Sequence, residues 1–491
     1  MQPKSARLTM SMFAAAICST AFLLTPLSVH AQDHQVTKYK LYDIGPPAGN
    51  LSTFFNFDAI GGQFTPSPLN SYGHLAGTYS DTPNTAAGFL WERDNFKVLP
   101  SLPNAETVPH GGSNTTGIND SGVVTGFSSY GAISPLNGQA FYHAVSWRHG
   151  EVRDLGDLGG GDSWATYITS RGLVIGFAYN ATPDPYSYYG TQYHATTWSD
   201  GRIRDLGTLG GTDSQAWAAN SRGDVIGISL LNTAPVPPFN QPREDAFIWS
   251  RGHMRDLGTL GGNFSTPTAI NRRGQVTVLS FDNTNQQYQS FLWCDGHQSV
   301  LAGLGGVFVE ATTLNDYAIS TGAATDPTNT NFLAEVWLPT GEGFALGAVA
   351  GDTGSVGLGI NNQGVIVGGS GSVTLFGNTY AHAFVWQYGS LADLNTLVPA
   401  GSPLTLNVAY AINDRGMIAG MGTNSNGDQH AFVLVPDDDD HNGNGSSNGN
   451  ATRGSARPFA TAASAPAAPG SSIHTPSPAA RLLRQTHKQD K

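Results

Sequence analysis

The sequence predicts an all-β fold built from one repeated unit. Two observations support this prediction: a tryptophan-ended strand recurs along the chain, and an Asn-x-x-Gly turn recurs between short strands rich in β-branched residues. The composition agrees, because 61 of the 491 residues are glycine and only 12% are charged, against about 25% in an average domain. Solvated helix faces need charged residues, so a helical bundle is not expected.

The tryptophan-ended strand occurs seven times, and Leu434 takes the place of tryptophan in an eighth copy. Successive copies lie 44 to 56 residues apart, a period typical of propeller blades. Most of the tryptophans are therefore explained by architecture, and the repeated ones are Trp91, Trp147, Trp198, Trp249, Trp293, Trp337 and Trp386.

The Asn-x-x-Gly turn predicts a β-hairpin in each unit. The asparagine side chain opens a type I turn, and glycine three residues later takes the left-handed backbone that closes the hairpin. The copies begin at Asn119, Asn220, Asn271, Asn361 and Asn413, with a variant at Thr169.

A third element, DLGTLGG, is complete at residues 205–211 and 256–262. Its first copy, from Tyr42 to Gly45, stands alone near the N-terminus, whereas the last unit lacks the element. An N-terminal strand that supplies the missing strand of the last unit closes a ring. The sequence therefore predicts, over residues 41–436, a β-propeller of eight four-stranded blades, with seven blades as the alternative.

The chain ends differ from the repeats. Residues 1–31 read as a signal peptide, with Lys4 and Arg7 before an apolar run and a small-residue site ending at Ala31. We therefore expect a secreted, extracellular or periplasmic monomer with no membrane insertion after cleavage, and residues 32–40 as a linker. Removal of residues 1–31 changes the net charge from −12 to −14, which argues against nucleic-acid partners.

Residues 437–491 are first acidic and then rich in Ala, Pro and Ser, so we expect a disordered tail. Residues 437–440 are four aspartates, whose carboxylates could bind Ca²⁺. They lack the alternating oxygen ligands and the fixed glycine of a calcium loop, which favours a solvated acidic spacer. We expect no cofactor and no bound metal.

His-Ala-Phe opens the tryptophan-ended strand at residues 382–384 and 430–432, with partial copies at His143, His194 and Asp245. Together with DLGTLGG and the asparagine turn, this pattern resembles the HAF family of extracellular repeat proteins. The resemblance implies secretion and a repeat fold, but no common reaction or ligand. Units 1 and 6 depart most, with Gly88 and Ala334 near the His-Ala position.

Antiparallel strands place alternate connections on the same face of a unit. The short turns therefore share one face, and the longer inserts at residues 177–193, 228–244, 279–289 and 369–381 share the other. Loops held by a rigid scaffold commonly carry binding residues, so this variable face is the candidate binding face.

The insert at residues 177–193 is rich in tyrosine among polar residues, which suits a sugar or peptide ligand. As a recognition platform it should leave Tyr186, Tyr188 and Tyr189 largely exposed. The alternative is that the rings pack the loop on its neighbours. The candidate ligand-binding residues are Tyr186, Tyr188, Tyr189 and Tyr193.

The recurring histidines and aspartates are expected to form structural hydrogen bonds, because equivalent residues lie a whole blade apart, too far to share an ion. The histidines are His143, His194, His382 and His430, and the aspartates are Asp43, Asp154, Asp205, Asp256 and Asp393. Catalysis would need groups specific to one unit, and the candidates are Glu106, His110, Asp162, Asp213, Glu310 and Asp352.

No HExxH, GxSxG, Walker or CxxC motif is present, and no residue is assigned as catalytic. The sequence thus predicts a secreted binding or scaffold protein that recognises a surface glycan or an exported protein through its variable face. One alternative is a secreted glycosidase or polysaccharide lyase that uses carboxylates at the channel mouth. Another is a passive envelope or matrix component.

Overall fold

The computed structural model describes residues 37–46, 52–54, 68–82, 85–108, 111–185, 187, 189–236, 241–375, 377–437 and 474–475. The predicted signal peptide and nearly all of the predicted disordered tail lie outside these ranges. Within them, no helix is long and apolar enough to cross a membrane. The helical residues described are two short 3-10 helices, Ala105–Thr107 and Leu394–Thr396.

The strands pair in antiparallel meanders of four, numbered units 1 to 8 in chain order, with strands named A to D within each unit. Units 1 to 4 contain β2 to β17 in chain order. Unit 1 contains Ser52–Phe54, Leu75–Thr82, Thr85–Glu92 and Asn95–Val98; unit 2 contains Ser113–Ile118, Val124–Ile133, Ala140–Arg148 and Glu151–Asp154; unit 3 contains Gly159–Ile168, Val174–Pro183, Thr191–Ser199 and Arg202–Asp205; unit 4 contains Ser214–Ala219, Val225–Val236, Gln241–Ser250 and His253–Asp256.

Units 5 to 8 contain β18 to β32, and β1 (Tyr39–Ile44) completes unit 8 as its D strand. A further two-residue strand, β33 (His474–Thr475), pairs with β28 of unit 7. Unit 5 contains Gly261–Ile270, Val276–Asp282, Tyr288–Cys294 and His297–Val300; unit 6 contains Phe308–Leu314, Ser320–Thr325, Phe332–Trp337 and Gly343–Gly347; unit 7 contains Gly354–Ile360, Ile366–Thr374, Gly377–Gln387 and Ser390–Asp393; unit 8 contains Leu404–Ile412, Ile418–Asn424 and Gln429–Pro436.

The A strands are innermost, and they are linked to one another across unit borders. The hydroxyl of Thr116 in unit 2 donates a hydrogen bond to the Ala165 carbonyl oxygen of unit 3 at 3.0 Å. Thr166 repeats this contact toward Ala216 of unit 4 at 2.8 Å. The D strands form the exposed outer edges, and every residue of β13 in unit 3 is exposed.

The ring closes through the N-terminal strand, as the sequence predicts. β1 pairs antiparallel with β32, and the register joins Tyr39 to Pro436 and Ile44 to Ala431. His430 also bonds Asp43 at 2.7 Å, across 387 residues of chain. The fold is therefore a closed β-propeller, in which β1 and β32 leave no open edge between the two ends of the chain.

The hydrophobic core is divided into clusters that lie between neighbouring units. Phe247 of unit 4 packs with Ile175 of unit 3, and Trp293 of unit 5 packs with Ile226 of unit 4. Among the described residues such a cluster occupies each of the eight borders, including the border of units 8 and 1. The number of blades stays a prediction, because residues 55–67 of unit 1 lie outside the description.

Asparagine turns join A to B in every unit except unit 3, where Thr169 takes the asparagine position, and they form a nearly complete second ring around the axis. In each turn, the side-chain oxygen accepts two backbone N–H groups of its own turn, and the amide nitrogen donates to the carbonyl oxygen of the next turn, as Asn119 does to Thr169 at 3.3 Å. Sequence analysis missed the turns at Asn70 and Asn315, and Ala318 replaces glycine in the latter with φ of 60°. The donors are Asn70, Asn119, Asn220, Asn271, Asn315, Asn361 and Asn413.

The antiparallel pairing places the A–B and C–D turns on one face, which we name the short-loop face, and the B–C and D–A connections on the opposite, long-loop face. The insert at residues 177–193 is not all loop, contrary to the sequence prediction. β11 continues to Pro183 and β12 begins at Thr191, because Ala178 and Tyr179 pair with His194 and Tyr193 and so extend the hairpin.

Candidate functional site

The tyrosine-rich connection of unit 3 is anchored on its neighbours. Tyr189 is half-buried rather than largely exposed. Its hydroxyl donates a hydrogen bond to the Ala140 carbonyl oxygen at 3.0 Å, and its ring centroid lies 5.0 Å from that of Phe141. Tyr193 is also half-buried. These two rings hold the loop on the scaffold, while Tyr186 and Tyr188 lie outside the described residues.

A continuous group of aromatic rings supports this loop from below. Phe127 of unit 2 stacks on Trp164 of unit 3 with centroids 4.0 Å apart, and Trp164 lies 6.0 Å from Phe177. Phe177 then contacts Tyr179, which contacts Tyr189 at 5.1 Å. Because close-packed rings resist displacement, the loop base is a rigid platform that spans two units.

Exposed apolar side chains lie beside the platform. Leu136, in the neighbouring B–C connection of unit 2, is 69% exposed, and Ile133 is 46% exposed. The Leu136 side chain lies against Gly190 of the tyrosine loop. A hydrogen bond of 2.9 Å from the Asp184 N–H to the Gly190 carbonyl oxygen closes the loop at this point. The long-loop face therefore offers an exposed apolar surface on a fixed base.

The recurring histidines bond the recurring aspartates, in line with their expected structural role. His143 bonds Asp154 at 2.8 Å, and His194 bonds Asp205 at 2.8 Å. Burial lowers the pKa of His143, but its hydrogen bonds to Asp154 and Asp157 outweigh burial and raise the pKa to about 9. The His143 imidazole is thus held as a cation between two carboxylates.

The same aspartates also accept backbone N–H groups from their own connections. Asp154 accepts from Gly156 at 2.8 Å, and Asp205 accepts from Gly207 at 2.7 Å. In unit 4 an aspartate, Asp245, stands in the histidine position, and Arg243 forms a bidentate pair with it. The repeated positions therefore serve the scaffold in each of these units.

Asp162 lies within the A strand of unit 3 and Asp213 directly precedes the A strand of unit 4, and each accepts a backbone N–H from the C strand of the preceding unit. The Tyr142 N–H and the Trp164 indole N–H donate to Asp162 at 2.6 and 2.7 Å. The Tyr193 N–H donates to Asp213 at 3.0 Å. Burial raises the pKa of Asp162 to about 7 although these hydrogen bonds lower it. Both carboxyls thus act as acceptors at unit borders.

Glu310 lies on the A strand of unit 6 and is half-buried. Burial raises its pKa to about 7. Burial raises the pKa of Tyr288 and Tyr380, and the Glu310 charge raises both further. Glu310 is therefore poised to change charge near neutral pH.

The other unit-specific candidates are placed apart from Glu310. Asp352 bonds His382 at 2.9 Å, Glu106 is exposed in a 3-10 helix, and His110 lies outside the described residues. In the described ranges no hydrogen bond or ion pair joins any two of the five acidic candidates. No described group of three or more His, Cys, Asp or Glu side chains is arranged to hold a metal ion.

Sequence analysis missed two buried acids. Burial, followed by the neighbouring Asp245, raises the pKa of Glu244 to about 7, and burial raises the pKa of Glu335 to about 8. Glu335 is 1% exposed and stands two residues before Trp337, where five other units have phenylalanine. An ionisable residue at an apolar position of a repeat is the signal that would have identified it.

Comparison with known proteins gives no family. No protein-family model and no curated protein matches the chain. A solved structure of a puromycin-hydrolyzing peptidase from Mycobacterium tuberculosis is similar at 12% identity and a TM-score of 0.40, over 80% of this chain and 55% of the peptidase. The chain therefore spans about half the length of that peptidase.

Two other solved structures are similar to the same degree. The β-propeller domain of the Trilobed protease from Pyrococcus furiosus is 9% identical with a TM-score of 0.40, over 67% of this chain and 95% of that domain. Trypanosoma rangeli sialidase in complex with sialic acid is 9% identical with a TM-score of 0.34, over 81% of this chain and 58% of the sialidase. These values transfer no function, and the propeller fold rests on the strand pairings described above.

Proposed function

We propose that this protein is a secreted binding or scaffold protein that recognises a surface glycan or an exported protein through its long-loop face. The observation that carries the proposal is the exposed Leu136 side chain against Gly190, above the packed rings that include Tyr179 and Tyr189. Rigid, partly apolar surfaces with hydroxyl and amide groups at their margin fit sugar rings and peptide segments.

Other proposals accompany this function. Membership of the HAF repeat family, secretion and a monomeric state are retained on the sequence motifs. The four tyrosines of the loop divide into two roles: Tyr189 and Tyr193 support the platform, and Tyr186 and Tyr188 contact the ligand. The glycosidase or lyase alternative is no better supported, because no hydrogen bond or ion pair joins any two of the candidate acids among the described residues.

The test replaces Leu136, Tyr186 and Tyr188 by alanine. Binding is measured on an array of microbial and plant polysaccharides and in a pull-down of exported proteins from culture medium. We expect the variant to lose the binding of the wild-type protein. The proposal makes Tyr186 and Tyr188 ligand contacts rather than packing residues, so the melting temperature should stay within about 2 °C.

A matched control replaces Tyr317 and Tyr388, which are 57% and 72% exposed on the short-loop face. Binding should survive in this control. Retained binding in the Leu136, Tyr186 and Tyr188 variant would refute the proposal, and so would an equal loss in the control. Tyr189→Phe, which removes only the hydroxyl donor to Ala140, should bind normally.

A further inference from the structure

Arginines are concentrated on the C–D turns and the outer edges of three neighbouring units. The C–D turns and D strands of units 2, 3 and 4 each carry two exposed arginines, and none of the six forms an ion pair with another described residue. We name them the arginine sector; it comprises Arg148 and Arg153, Arg202 and Arg204, and Arg251 and Arg255.

The sector is continuous across the unit borders. The Arg153 guanidinium of unit 2 lies against Gly201 in the C–D turn of unit 3. Arg204 stacks over the Trp249 ring of unit 4 at 5.6 Å. Arg255 stacks over Trp293 of unit 5 at 4.8 Å. Stacking fixes the plane of a guanidinium and leaves its N–H edge available to an external acceptor.

Basic residues in these segments are confined to one side of the disc. The segments 148–153, 199–204 and 250–255 hold six arginines and two acids, Glu151 and Asp200. Each of these D strands then ends in an aspartate, Asp154, Asp205 or Asp256, and His143 and His194 bond the first two. The corresponding segment of unit 1 contains Arg93 and Lys97, whereas those of units 5, 6 and 7 contain no lysine or arginine.

We propose that the arginine sector binds an acidic polysaccharide that carries carboxylate groups. A guanidinium can donate two parallel N–H···O hydrogen bonds to one carboxylate, and this bidentate pair has a defined geometry. Arg202 and Arg204 are two residues apart on one strand, about 7 Å. The pairs Arg148–Arg153 and Arg251–Arg255 of the neighbouring units instead span a C–D turn. A row of such groups over three units fits a polymer with charges at intervals better than one small anion.

The observations favour a polysaccharide over a nucleic acid. A duplex carries one phosphate charge per about 1.7 Å of its axis, whereas Arg202 and Arg204 are about 7 Å apart along their strand. The wider spacing suits a polymer with one carboxylate per sugar. The arginine sector does not include the tyrosine-rich connection and does not depend on the function proposed for the long-loop face.

The test uses the first arginine of each pair, which lies in or directly beside a C–D turn; we call these three the turn arginines. The variant Arg148→Gln, Arg202→Gln, Arg251→Gln is compared with Lys40→Gln, Arg273→Gln, Arg415→Gln, which removes the same charge from exposed residues of units 5 and 8. The probe is immobilised polygalacturonate at about 50 and about 200 mM NaCl. We expect the sector variant to bind at least about tenfold more weakly, and the control to change less than about twofold.

A third variant, in which the three turn arginines become lysine, keeps the charge and removes the fork. We expect its affinity for polygalacturonate to lie between those of the wild-type protein and the glutamine variant. If the glutamine variant has a lower melting temperature, the comparison of the lysine variant with the wild-type protein is the test. Failure of the wild-type protein to bind polygalacturonate would overturn the proposal. Equal losses in the sector and control variants would overturn it too, as would tighter capture by single-stranded DNA or by phosphatidylglycerol vesicles.

Discussion

Glu335 places a buried carboxyl on the C strand of unit 6, at a position where five other units have phenylalanine. Its Oε2 atom has no hydrogen-bond partner among the described residues. Because burial penalises the carboxylate, the folded protein keeps the proton to a pH of about 8, whereas the unfolded chain loses it near 4.5. Between these values the folded state binds more protons, so this group lowers stability as pH rises.

We predict that Glu335→Gln removes part of this pH dependence. The variant and the wild-type protein should have similar melting temperatures near pH 5. Near pH 9 the variant should be more stable, by an amount on the order of 5 kcal/mol at most. Thermal unfolding followed by circular dichroism from pH 5 to pH 9 checks this. Glu342→Gln, at an exposed position of the same unit, is the control and should match the wild-type curve.

A difference between Glu335→Gln and wild type that is constant from pH 5 to pH 9 would show that Glu335 does not titrate in this range. The residue also illustrates what sequence reasoning could not see. The repeat pattern predicts a strand before Trp337, but the degree to which the Glu335 carboxyl is buried depends on tertiary packing, which the sequence does not give.

At the level of one element, β1 contributes both hydrogen bonds and core. Tyr39 and Ile44 are 3% and 2% exposed, and they pack in the clusters on the two sides of unit 8. Asp43 gives His430 the partner that Asp154 gives His143 within unit 2. The N-terminal strand thus reproduces the contacts of an ordinary D strand.

We predict that a chain lacking residues 32–46 aggregates or melts at a markedly lower temperature. Its β32 edge would be unpaired, and unpaired edges recruit strands from other molecules. Light scattering and differential scanning calorimetry measure the two outcomes. A chain lacking only residues 32–36 retains β1 and is the control. A soluble truncated protein with the melting temperature of the control would contradict closure by β1.

The strands were the most predictable part of the molecule. The repeated tryptophan predicted the C strands, and the asparagine turn predicted the A–B hairpins. The isolated copy of the third element near the N-terminus predicted the pairing of β1 with β32. Each of these features depends on local sequence and on the period of the repeat. The binding face was less predictable. The exposure of Tyr189 depends on Phe141 and Ala140 of the neighbouring unit, and no repeat pattern encodes that contact.

At the level of the whole molecule, the asparagine turns form a nearly complete ring of amide hydrogen bonds. The ring includes the border of units 8 and 1, where Asn413 donates to the Asn70 carbonyl oxygen at 2.9 Å. Thr169 occupies the asparagine position of unit 3 and has no amide to donate toward Asn220. The ring therefore lacks one donor at the border of units 3 and 4.

We predict that Thr169→Asn stabilises the protein by about 1 kcal/mol, because the new amide can donate to the Asn220 carbonyl oxygen. The reverse change, Asn413→Thr, should destabilise it by a similar amount or more. Urea unfolding monitored by tryptophan fluorescence gives both values. Loss of stability in Thr169→Asn would show that the turn of unit 3 cannot accept the geometry of the others.

The place of β1 in the chain also affects how the protein forms. β1 is synthesised first, yet its partner β32 follows almost at the end, with 387 residues between Asp43 and His430. At about 5 to 20 residues per second, a ribosome needs about 20 to 80 seconds to make that interval. During this time the apolar side chains of β1 have no native partner. Correct closure is thus a competition in time between the arrival of β32 and the capture of β1 by another strand or a chaperone.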